Sequence, residues 1–141
     1  MKYFICTLGT PEEAHQHQNF PQDTIQVGIP TMYTERIIPV TKTQAVGYET
    51  ENEEVSVSLP VLFQQKNTHT PHGVVLRTDR AVKTVLLTPR IERDLEIPEE
   101  RLHRLPAVFD GLSRYFRGVY FDKENLIYIL NTEKIMEGKR D

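Results

Sequence analysis

Nine prolines and seven glycines divide this chain into short apolar runs, one about every ten residues, a spacing that leaves room for strands and tight turns but for few long helices. The pattern is that of an all-β barrel or sandwich. Strands are expected at Lys2–Leu8, Thr24–Ile29, Arg36–Val40, Glu54–Phe63, Gly73–Leu76, Val82–Leu87, Leu95–Ile97, Phe116–Phe121 and Leu126–Leu130. The alternation in Val55-Ser-Val-Ser-Leu59 turns Val and Leu to a core and Ser to water. Leu126 to Leu130 is apolar throughout, as a strand buried on both faces requires.

Helices are few. Pro98-Glu-Glu-Arg-Leu102 has proline in its first turn and acids beside its positive end. A second helix is expected after Asn131, where Asn131-Thr-Glu133 can end a strand and cap a turn carrying Ile135 and Met136. Gly9 to Gln22 is polar and reads as a long loop, and Glu49-Thr-Glu-Asn-Glu-Glu54 as an acidic hairpin tip.

At 141 residues and 38% hydrophobic content the chain suits a single domain, 1–141, able to bury about 68% of the surface its unfolded form exposes. There is no fixed-period repeat and no break in composition. The one cysteine, Cys6, lies in the apolar run Tyr3 to Leu8 and reads as a small core hydrophobe in a reducing compartment. No apolar stretch approaches the roughly 20 residues of a membrane helix, and the first residues lack a signal-peptide layout, so a cytoplasmic protein without direct membrane insertion is expected. Seventeen basic and twenty acidic residues give a net charge of −3, with no Lys/Arg run to follow a phosphate backbone, which argues against a nucleic-acid partner.

The candidates for chemistry are weak. His15 and His17, and His69 and His72 around Pro71, lack the Cys or carboxylate partners of a metal site and read as surface histidines. Glu51, Glu53 and Glu54 belong to an exposed tip, where nothing raises a carboxyl pKa for acid–base work, so a partner-facing charge patch is the better reading. Ser56, Ser58 and Ser113 lack the G-x-S-x-G context, and there is no Gly-rich phosphate loop. No catalytic residue, cofactor or metal is therefore expected; a small His-dependent metal enzyme remains as the alternative of a different class.

Two segments carry a family resemblance. Tyr115-Phe-Arg-Gly-Val119, followed after a turn by Leu126-Ile-Tyr-Ile-Leu-Asn-Thr-Glu-Lys-Ile-Met136, resembles the closing pattern of the CheW-like domain, the adaptor of bacterial chemotaxis arrays. Lys2-Tyr-Phe-Ile-Cys-Thr-Leu-Gly9 is similar to that family's opening strand, and Val27-Gly-Ile-Pro30 with Ile37-Ile38 to its next strand and turn. Leu59-Pro-Val-Leu62 is similar to its proline-containing central strand, and Leu95 to Leu102 to a strand end with a helical turn.

The resemblance implies a mainly β fold of two small five-stranded SH3-like barrels sharing an apolar core, with few short helices. It also implies a non-catalytic adaptor between chemoreceptor cytoplasmic tips and the regulatory domain of a CheA-type histidine kinase. On this reading Tyr33, Ile37 and Ile38 are groove hydrophobes, Glu35, Arg36 and Tyr48 form the rim, and Glu51, Glu53 and Glu54 face a partner. The chain departs from the family where an Asn-Leu-Arg-Gly turn usually stands. Here the acidic Glu49–Glu54 tip supplies no Arg, so a divergent paralogue with a different partner is the second reading.

Overall fold

An apolar run without polar alternation can only lie inside a sheet that is covered on both faces, and Leu126 to Leu130 does so. The computed structural model describes residues 1–8, 25–40, 54–63, 69–105, 114–123 and 125–138. Among these, the strands are β1 (Lys2–Leu8), β2 (Ile25–Pro30), β3 (Thr34–Pro39), β4 (Glu54–Ser58), β5 (His72–Leu76), β6 (Lys83–Thr88), β7 (Arg90–Glu96), β8 (Phe116–Asp122) and β9 (Asn125–Leu130). They form a five-stranded sheet in the order β7-β1-β2-β9-β8 and a four-stranded sheet in the order β3-β5-β6-β4. Two short helices, α1 (Leu59–Leu62) and α2 (Thr132–Gly138), complete a mainly β architecture.

The first sheet is built from both ends of the chain, joined where β2 runs parallel to β9 and Val27 stands opposite Tyr128. Its outermost strands meet: Arg93 on β7 forms a 2.6 Å ion pair with Asp122 on β8. After β7 the chain crosses to β8, where the His103 and Val119 backbones exchange two 2.8 Å hydrogen bonds. These contacts bring the two edges of the sheet together, without strand pairing between β7 and β8 among the described residues. This seam accounts for the glycine of the Tyr115–Val119 motif, because a Cβ on Gly118 would stand 2.5 Å from the His103 carbonyl oxygen.

Strand alternation then sorts side chains into three clusters. Tyr3, Ile5, Ile97, Ile127 and Ile129 pack together on one face of the first sheet. On its other face Cys6, Leu8, Val27, Ile29 and Leu130 pack against Val57, Leu59, Val74, Leu76 and Leu86 of the second sheet and α1. The far side of that second sheet holds Val40, Val75, Val85 and Leu87, with Ile38 packed on them. The fold is thus mainly β, as expected, with two sheets around a shared core; the second sheet has four strands among the described residues. Burial pushes the Cys6 thiol up to about 12, so it stays protonated and packs as a hydrophobe.

Three local expectations need correction. The run Glu54–Phe63 is not one strand: β4 stops at Ser58, and Pro60, which has no N–H for a ladder, sits in the first turn of α1. Leu59-Pro-Val-Leu62 is accordingly a helical turn beside a strand at the end of its sheet rather than a central strand. The strand expected at Leu95–Ile97 is the longer β7, whose charged side chains face water on an outer strand with only Ile91 and Leu95 half-buried. Pro98 to Leu102 contains only a 3-10 turn, Glu99–Arg101. The Gly9–Gln22 segment and residues 49–53 lie outside the described residues.

Replacing Ile127 or Ile129 with Ala should lower stability by about 2–5 kcal/mol, the range for emptying a buried aliphatic site. Both are fully buried. Denaturant unfolding checks this, and losses below about 0.5 kcal/mol at both positions, as at an ordinary surface site, would place the strand at the surface.

Candidate functional site

Two exposed apolar side chains lie on the short connection that leads from one sheet to the other. After β2 ends at Pro30, a 3-10 turn, Thr31–Tyr33, leads into β3 and holds Met32 and Tyr33 outward, 56% and 42% exposed. No side chain caps this turn at its start. It is fixed from outside. The Thr34 hydroxyl donates to the Pro30 carbonyl at 3.1 Å. Arg77, the residue after β5, holds three consecutive carbonyls: its backbone N–H donates to Tyr33 at 2.7 Å, its Nε to Met32 at 3.3 Å and its Nη2 to Thr34 at 3.3 Å. One residue from a distant part of the chain thereby presents two apolar side chains in a set geometry.

β3 then carries a bulge. Thr34 stands opposite Leu76 and Arg36 opposite Val75, which leaves Glu35 as the extra residue. Bulges re-aim side chains, and here Glu35 reaches Lys83 at 2.7 Å and Arg36 at 3.2 Å. The hydrogen bond from Lys83, with the positive charges of Lys83, Arg36 and Arg77, holds the Glu35 carboxyl below the ordinary glutamate range. Ile37 is 42% exposed, whereas Ile38 turns to the other side of the strand and packs on the Val40–Val75–Val85–Leu87 cluster.

Of the residues singled out in the sequence, Tyr33, Glu35, Arg36 and Ile37 share one exposed stretch, and Ile38 supports it from within. Glu54 is half-buried at the start of β4, at the other end of the second sheet, where Lys83 is its register partner. Tyr48, Glu51 and Glu53 lie outside the described residues, as do His15 and His17. His69 is exposed and His72 opens β5; among the described residues no three His, Cys, Asp or Glu side chains group as metal ligands. Sequence reasoning missed Met32, Arg77 and Lys83. Arg77 and Lys83 act across separations of more than forty residues, for which the local sequence carries no signal.

Beside the turn an open cleft of about 600 Å³ lies between the end of β2, the connection after β5 and the start of α2, and Tyr33 lines it.

No protein-family model matches the chain, and no curated protein sequence matches it. Its fold is similar to that in the crystal structure of the scaffolding protein TtCheW from Thermoanaerobacter tengcongensis, with a TM-score of 0.60 at 12% identity over 93% of this chain and 85% of that one. At this identity the likeness establishes the CheW-like fold.

The Glu35 geometry has a measurable consequence. Because its folded pKa is lowered, the ion pair contributes stability above the ordinary glutamate range and loses it as pH falls through the lowered value. An NMR titration of Glu35 should give a pKa below that of a free glutamate, and Lys83→Ala should move it upward. An unchanged value in the variant would show that Lys83 does not hold the carboxylate.

Proposed function

We propose that the protein is a non-catalytic scaffold, a single CheW-like domain over residues 1–141 that couples chemoreceptor tips to the regulatory domain of a CheA-type histidine kinase. It would work in the cytoplasm, at membrane-associated receptor arrays. The observation that carries this reading is the two-sheet fold shared with the scaffolding protein TtCheW along 93% of the chain. Two features support it. Met32, Tyr33 and Ile37 expose apolar area on a turn and strand held in place by Arg77, while Glu35 and Arg36 set fixed charge beside them. Protein interfaces are built in this way, with apolar anchors and a charged rim that sets orientation. The polar side chains at the β7 and β8 edges pair with one another, Arg93 with Asp122 and Arg117 with Glu99, and so are engaged within the fold.

A second reading is a divergent paralogue with another partner. It is favoured by the acidic Glu49–Glu54 sequence, which stands where the family usually offers an Arg. Acidic residues repel an acidic counterpart as effectively as they attract a basic one. The protein should therefore bind a CheA-type regulatory domain more tightly than a receptor tip, and any attraction through these carboxylates should weaken with salt, since charges in water are screened over about 10 Å at 0.1 M.

Calorimetric titration against both partners at low and high ionic strength tests this. Weaker, less salt-dependent kinase binding is expected when Glu51, Glu53 and Glu54 are replaced by Gln. Tight receptor binding that ignores both salt and these replacements would restore the ordinary adaptor role, and binding to neither partner would favour the paralogue.

A further inference from the structure

No further inference is drawn: the strongest candidate, a mostly apolar hollow of about 310 Å³ beside β4 and α1 that is lined by Val57, Val61, Leu62, Tyr115 and Ile135, carries nothing because nothing among the described residues shows what covers it.

Discussion

The contact between the two sheets is the interaction on which the rest of this molecule depends. Leu8, Val27, Ile29 and Leu130 from one sheet and Val57, Val74, Leu76 and Leu86 from the other are all buried in a single cluster. Neither sheet could leave these side chains in water, since each fully buried aliphatic group is worth about 1.5–3 kcal/mol. The same packing places the end of β2 beside the end of β5. There Arg77 reaches the turn at Met32 and Tyr33, and a cleft opens beside it. The exposed surface is thus a by-product of how the interior is filled.

Rigidity in this surface comes from polar contacts of long sequence range. Arg77 holds the turn by three carbonyls, the bulge at Glu35 is tied to Lys83, and Arg93 with Asp122 ties β7 to β8. Exposed ion pairs add little stability individually. Their effect here is geometric: they fix where apolar side chains stand.

Much of the fold is legible in the sequence because strand burial is a local pattern. Leu126 to Leu130 has no polar alternation and lies in an interior strand; Val55 to Leu59 alternates and has one face in the core. β7 was harder to read, since Arg90-Ile-Glu-Arg-Asp-Leu-Glu96 carries the charges of a strand with one face in water. Pro60 fits the apolar pattern of a strand, but its missing N–H ends the ladder. The candidate surface was legible only in part. Tyr33 and Ile37 stand out as apolar residues in a polar setting, but Arg77 looks like any residue after a strand. Its role exists only once β5 lies beside the turn, and no local pattern encodes that neighbourhood.

The shared core is tested most directly by thermal unfolding of the intact chain, followed by calorimetry and by NMR signals from each sheet, such as Ile127 in the first and Leu86 in the second. If the two sheets are held by one core, both signals should be lost in a single transition whose calorimetric and van't Hoff enthalpies agree, and Leu86→Ala should lower both midpoints together. Two separable transitions, or a variant that shifts only the second sheet, would contradict it.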